Sequence, residues 1–255
     1  DDDFEYAGVN PCAEEPLPAG GSCLLGSLNL AAFVDEDEWG PKFAFEDFED
    51  AVELAVVALN EVLDEGLPLH PLEEQRKSVA DWRQIGLGIF GLADMLIQLG
   101  CKYGSRDAKI LCHKIARTMA TAALRSSAKL AAEFGAYPKF NKGAVMSSEF
   151  FNEHFDDETW KLTDAFGLRN SQLLTIAPTG SLSTMLGVSG GIEPIFDTHY
   201  TRKTESLHGE DVYYTVYTPI VEKYMKEHGI EDVKDLPDFF VTAKTLEGLN
   251  RVEMQ

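Results

Sequence analysis

The sequence is poor in cysteine and in positive charge, and it has no long apolar run. Its 255 residues hold four cysteines, at positions 12, 23, 101 and 112. They form no CxxC pair and none of the spacings zinc sites use, so no metal is expected. Against 43 acidic residues there are only 22 Lys and Arg, a formal charge of −21. Such a surface repels nucleic acid polymers and anionic membranes. A pocket inside that acidic shell can still be locally positive and take a phosphorylated small molecule. No stretch approaches the roughly 18 apolar residues of a membrane helix. No signal-peptide pattern opens the chain, and the expected compartment is a reducing cytoplasm. Repeats and low-complexity linkers are also missing. What is present, 44% hydrophobic and 10% aromatic residues, suffices for a core of one large or two small domains.

Apolar periodicity organises the rest. Residues 4–34 read as loop and extended segments, punctuated by Pro16, Pro18, Gly20-Gly21-Ser22 and Gly26. From Phe45 to Leu63 apolar residues recur at three- and four-residue steps, a helix that Gly66, Pro68 and Pro71 end. A second helix is expected from about Asp81 to Leu99, through Ile85-Gly86-Leu87-Gly88-Ile89-Phe90-Gly91. Its glycines weaken helix propensity but let another backbone come close. Ser105 is placed to cap a long helix that stops at Gly135. Two short polar helices are expected within 147–166. Gln172 to Ala177 reads as a buried strand broken by Pro178-Thr179-Gly180-Ser181. Strands at 198–205, 211–217 and 239–243 and a helix near 219–228 complete an α/β reading with a helix-rich middle.

Three stretches carry chemistry. In Asn10-Pro11-Cys12-Ala13-Glu14, an extended backbone would put the amide, the thiol and the carboxylate on one face, roughly 6.5–7 Å apart. Pro11 disfavours a helix there. The same spacing equally describes a proline turn around a small buried thiol. Cys23 lies eleven residues on, near enough along the chain for dithiol chemistry, or for a core cysteine under a Leu-rich strand. Ala177-Pro178-Thr179-Gly180-Ser181 offers backbone N–H groups and hydroxyls of the kind that hold phosphate oxygens, but no Lys follows the glycine as in a Walker loop. Bland turns have the same composition. Ser189-Gly190-Gly191-Ile192-Glu193-Pro194 permits a tight bend that either presents the Glu193 acid to a cavity or is a plain structural turn.

Together, and in this order, these motifs resemble the catalytic large chain of ribonucleotide reductases, over almost the whole sequence. Asn10 to Glu14 resembles that family's finger loop, with Ala13 where the family more often has Gly. Gly21 to Leu30 resembles the redox-cysteine segment and Ile85 to Asp94 the glycine-rich helix. Ala177 to Ser181 with Gly190 to Pro194 resembles the substrate-phosphate turn and the segment beyond. The resemblance implies the later portion of a ten-stranded α/β barrel built from two five-stranded halves. On that view residues 1–255 are one partial domain, with the finger loop near 8–16. It implies reduction of ribonucleotides to 2′-deoxyribonucleotides through a thiyl radical on Cys12, which takes hydrogen from C3′. Glu14 would accept the 3′-hydroxyl proton, Asn10 would hold the substrate hydroxyls, and Cys23 would be one of two reducing thiols. Pro178, Thr179, Gly180 and Ser181 would hold the phosphates of a ribonucleoside diphosphate or triphosphate.

The short Cys12–Cys23 gap resembles adenosylcobalamin-dependent members more than those fed by a metal-containing subunit. Implied partners are the N- and C-terminal parts of the same enzyme, and thioredoxin or glutaredoxin as reductant. The acidic opening Asp1-Asp2-Asp3 beside a motif and the abrupt ending at Gln255 read as a piece of a longer protein, expected to be inactive alone and to leave sheet edges open. Two other classes fit the residues. One is a thiol enzyme using Cys12 as an ordinary nucleophile, which would need a base to activate it. The other is a non-catalytic nucleotide-binding module of reductase type, although a module that only binds has no need of Asn10, Cys12, Glu14 and Cys23 together.

Overall fold

A short hairpin opens the computed structural model, which describes residues 4–205 and 211–254. Strands β1 (Tyr6–Val9), β2 (Pro16–Pro18) and β3 (Leu25–Asn29) lead through a 3-10 turn to β4 (Val34–Asp37) and β5 (Gly40–Phe43). Helices α1 (Phe45–Gly66) and α2 (Glu73–Trp82), strand β6 (Gly86–Phe90) and helices α3 (Leu92–Gln98) and α4 (Arg106–Phe134) come next. Then come α5 (Lys142–Ser147), α6 (Glu149–His154), α7 (Asp157–Phe166) and α8 (Gly180–Leu186). Strands β7 (His199–Glu205) and β8 (Asp211–Tyr217) and helices α9 (Pro219–His228) and α10 (Gly248–Met254) end the chain.

The chain groups into two compact units. The first comprises 1–28, 44–89 and 113–178. Its core is laid down by the apolar stripes of α1 and α4: Phe48, Val52, Val56 and Leu59 on one, Ile115, Met119, Ala123 and Leu124 on the other, all buried. The rows of alanine on α4 keep the helix slim where it packs. Arg125 of α4 donates to Glu49 and Glu53 of α1 and, at 2.8 Å, to Asp156, the cap of α7. A buried polar knot lies below: Asn60, Asn170, Ser127 and Arg83 are joined by hydrogen bonds, and Arg83 reaches Asp64. Beside it β6 pairs with β3 on one side and on the other with residues 172–175. There Leu87 N–H donates to Leu173 (2.8 Å), and Thr175 N–H returns to Leu87 (3.0 Å).

The second unit comprises 29–43, 90–112 and 179–255. It contains the β4–β5 hairpin, the β7–β8 hairpin, with His199 opposite Tyr217 and Glu205 opposite Asp211, and helices α3, α8, α9 and α10. Gly91 takes a left-handed φ of 71° at the entry to α3. An added Cβ there would strike the Asn29 carboxamide, so only glycine fits this corner.

The α/β class with a helix-rich middle matches the observed mixture, about 51% helical and 17% strand, and the described residues show no closed barrel. The helices expected from Phe45, from Ser105 and near 219–228 are α1, α4 and α9. The expected 81–99 helix is not formed. Arg83 turns left-handed at φ 46° and stops α2 at Trp82, residues 86–90 become β6, and beyond α2 only 92–98 are helical. The glycines explain this: the Cβ of an alanine at 88 would overlap the Thr175 carbonyl, and one at 86 would lie 2.6 Å from the Thr175 Cγ2. A helix could not come that close. Residues 172–177 make a single parallel bridge, Leu87 to Leu174, in place of a full strand, and 239–243 likewise only Ile195 to Thr242.

Candidate functional site

The tip of the β1–β2 hairpin carries Asn10, Cys12 and Glu14. Val9 pairs with Pro16, so residues 10–15 must reverse the chain. Ala13 N–H donates to the Asn10 carbonyl (2.9 Å), and Asn10 N–H donates to the Glu15 carbonyl (3.2 Å). The Asn10 side chain completes the closure, its Oδ1 accepting from Glu15 N–H at 2.9 Å, as asparagine does in turns. Ala13 is left-handed, φ 63°. The run is therefore a tight turn and not an extended segment with three side chains on one face. Asn10 is buried, Cys12 is exposed at the tip, and Glu14 is half-buried, its Oε2 buried and without a partner among the described residues. The turn is anchored from outside: Thr175 Oγ1 donates to the Glu14 carbonyl at 2.8 Å.

Asn10 and Cys23 are brought together. Asn10 Nδ2 donates to Cys23 Sγ at 3.4 Å, so one carboxamide serves both the turn and the sulfur. Glu15, on the same turn, is fully buried with neither carboxylate oxygen hydrogen-bonded among the described residues, and it was not singled out by sequence reading. Pro16 holds the residue before it extended, but no sequence signal gave the direction of its side chain, since burial along β2 does not alternate. Burial raises the Glu15 carboxyl above its usual range, with the Cys23 contact partly offsetting this and Glu14 adding to it. Cys23 is pushed up to about 12 by desolvation, then by hydrogen bonding and repulsion from Glu15 and repulsion from Glu14, against the Asn10 amide.

Two hollows flank this cluster within the first unit. A cavity of about 630 Å³ is lined by aromatic residues including Phe4, Trp82, Tyr137 and Phe151, with Glu14 and Gln172 among its polar groups. A smaller one, about 290 Å³, has Cys23 and His70 in its wall. Gln84 borders both and donates to the Pro16 carbonyl and to Gln172 Oε1. Cys12 lines neither.

The expected phosphate turn divides at the unit boundary, with Pro178 ending the first unit and Thr179, Gly180 and Ser181 opening the second. Within the second, Thr179 is left-handed (φ 51°) and heads α8, whose first N–H groups have no helical partner. Thr179 Oγ1 accepts from Gly191 N–H at 2.9 Å, joining this turn to the Gly190–Pro194 segment. That segment is pinned by Ser189, whose N–H donates to the buried Asp94 carboxylate (2.6 Å) and whose Oγ accepts from Ala93 N–H. Among the described residues no group of His, Cys, Asp and Glu is arranged to hold a metal ion, and no helix is long and apolar enough to cross a membrane.

Similar sequences occur among known proteins. The family described as ribonucleotide reductase, barrel domain, matches residues 7–252. A vitamin B12-dependent ribonucleoside-diphosphate reductase of Thermoplasma acidophilum is 34% identical over 226 residues, which is 89% of this chain and 26% of that protein. One of Mycobacterium tuberculosis is 33% identical over 200 residues, 78% of this chain and 26% of that protein. The ribonucleoside-diphosphate reductase subunit alpha of Chlamydia pneumoniae is 28% identical over 263 residues, 92% of this chain and 24% of that protein. The chain spans about a quarter of the length of these curated relatives.

Proposed function

The chain belongs to the ribonucleotide reductase family, and we propose that it supplies the finger-loop part of such an enzyme, which reduces ribonucleotides to 2′-deoxyribonucleotides. In this reading it is one partial domain, the later portion of the ten-stranded barrel, with residues 8–16 as the finger loop. It works only together with the rest of the enzyme, so the 255 residues alone give no turnover. The observation that carries the reading is the juxtaposition of Asn10 with Cys23 at a Cys12-bearing turn, inside a chain whose motifs keep the family's order.

Cys12, projecting from the turn, is the sulfur that as a thiyl radical takes hydrogen from the ribose C3′. Glu14 accepts the proton of the 3′-hydroxyl. Its buried, unpartnered Oε2 is an acceptor waiting for a donor. Asn10 holds the substrate hydroxyls in register, and Cys23 is one of the two thiols that supply reducing equivalents as the 2′-hydroxyl leaves as water. Thr179, Ser181 and the first N–H groups of α8 bind the substrate diphosphate. Adenosylcobalamin, the cofactor the names of two relatives imply, supplies a carbon-centred radical when bound. The exposed thiol of Cys12 fits a group that must reach it from outside this chain. A thioredoxin-type dithiol completes the cycle.

The test uses the full-length enzyme, assayed for nucleotide reduction with and without adenosylcobalamin. Cys12→Ser is expected to abolish reduction while leaving nucleotide binding intact. Unchanged turnover overturns the assignment.

A further inference from the structure

In the second unit, Thr179 keeps a backbone that a branched residue ordinarily avoids. Its φ of 51° is left-handed, a conformation far costlier for a β-branched side chain than for glycine. Such an outlier persists where surrounding contacts over-determine it. Thr179 heads α8, yet its side chain does not cap that helix. Its Oγ1 instead accepts the Gly191 N–H at 2.9 Å. Gly191 is in turn held from both sides. Two residues before it, Ser189 is bonded at three atoms to the start of α3. Its carbonyl accepts from Gly91 N–H (2.8 Å), its Oγ accepts from Ala93 N–H (3.2 Å), and its N–H donates to Asp94 Oδ2 (2.6 Å). One residue after Gly191, the Ile192 carbonyl accepts from Tyr103 Oη at 2.5 Å. Asp94 and Tyr103 are both buried.

We propose that Asp94 and Tyr103 are positioning residues for the substrate phosphate, clamping the 189–192 backbone so that Gly191 aims the Thr179 hydroxyl. The inference rests on the reading of the Thr179 turn as the phosphate site. A hydroxyl has one hydrogen to donate and two lone pairs to accept with. With the Gly191 N–H seated on Oγ1, the hydroxyl hydrogen is turned away from Gly191, and no acceptor among the described residues takes it. Accepting one bond also strengthens the bond that the same hydroxyl donates. The donor is thus fixed in direction before an anion arrives, and binding need not order a free rotor. Asp94 secures one end of this arrangement. Without its oxygen the Ser189 N–H is left buried and unbonded, and the chain there can relax by swinging Gly191 off the Thr179 hydroxyl. Tyr103 secures the other end through Ile192. Neither side chain needs to touch the phosphate; both act through Thr179.

The experiment is equilibrium dialysis of a radiolabelled ribonucleoside diphosphate against the full-length enzyme, run as a double-mutant cycle. Asp94→Ala is expected to weaken binding about tenfold, the worth of one hydrogen bond to a charged group. Asp94→Asn keeps an oxygen for the Ser189 N–H and is expected to stay within about twofold of wild type. Thr179→Ala should weaken binding as much as Asp94→Ala, and the double variant no further, because both changes remove the same donor. An Asp94 that served only the fold would give additive losses, about a hundredfold together. Additive losses overturn the proposal, and so does an Asp94→Asn enzyme that loses as much as Asp94→Ala. If Asp94→Ala fails to fold, Tyr103→Phe removes the Ile192 end of the clamp with the ring left in place. That variant must also weaken binding, without adding to Thr179→Ala, and an unchanged affinity overturns the proposal. A Thr179→Ala enzyme that binds as tightly as wild type defeats the phosphate reading itself, and the clamp falls with it. A weakened Thr179→Ala beside an unchanged Asp94→Ala defeats the clamp alone.

Discussion

Replacing Gly88 by alanine tests whether the turn that carries Cys12 is positioned from the β6 strand. At 88 the backbone is not left-handed, so alanine meets no conformational penalty there. The obstacle is contact: the new Cβ would overlap the Thr175 carbonyl oxygen, with Ser27 Oγ a further 3.5 Å neighbour. Backbone must retreat by roughly 1 Å to restore ordinary van der Waals separation. The retreating residue is the one whose N–H bonds to Leu87 and whose Oγ1 holds the Glu14 carbonyl. Overpacking of this kind costs about 1–3 kcal/mol, and weakening one or two hydrogen bonds adds about 1 kcal/mol. A total of about 2–4 kcal/mol is expected, read as a lower thermal midpoint of the full-length enzyme against Gly143→Ala. That control adds a Cβ on α5 no closer than 3.6 Å to its nearest neighbour and is expected to raise the midpoint slightly. Reductase activity measured well below the midpoint should fall too, because the Glu14 anchor has moved. A Gly88→Ala enzyme with unchanged midpoint and activity would refute the close-approach argument.

Ala13→Gly should stabilise by about 0.5–1 kcal/mol, since relief of a left-handed alanine (about 1–2 kcal/mol) exceeds the entropy cost of glycine (about 0.5–1 kcal/mol); a lowered thermal midpoint contradicts the turn geometry. Arg125→Ala strips a mostly buried guanidinium from three partly exposed carboxylates, between the limits of exposed and buried pairs, and should cost about 2–3 kcal/mol at pH 7. Against the effect of burial, Thr159 and Arg125 hold the Asp156 carboxyl below its usual range. Its contribution is therefore full above the unfolded value of about 3.9 and is lost as pH falls through the folded one. The Arg125→Ala penalty measured by denaturation should shrink on acidification, and a penalty that grew instead would exclude this role.

Local forces leave their mark on sequence, and distant ones do not. The stripes of α1 and α4 declare themselves because burial on one helix face imprints a period of about 3.6 residues. The left-handed stop at Arg83 and the strand at 86–90 do not, because what makes β6 a strand is the approach of Thr175 and Leu25 from elsewhere in the chain. The glycines announced that something comes close but not what, so the segment read as helix. At the candidate site the residue types were legible and their directions were not. Alternation predicts a shared face for Asn10, Cys12 and Glu14 only if the backbone is extended. Here the Asn10 carboxamide closes a turn, sending its own side chain inward and Cys12 outward. Glu15 escaped notice because it stands off the alternating register.

The carboxamide of Asn10 grips a main-chain amide with its oxygen and a sulfur with its nitrogen. Aspartate would keep the first hold and surrender the second, and leucine of similar size would surrender both. Loop shape and thiol surroundings are therefore not separately adjustable in this protein: whatever displaces the sulfur tugs on the hairpin tip, and whatever bends the tip loosens the sulfur's amide neighbour.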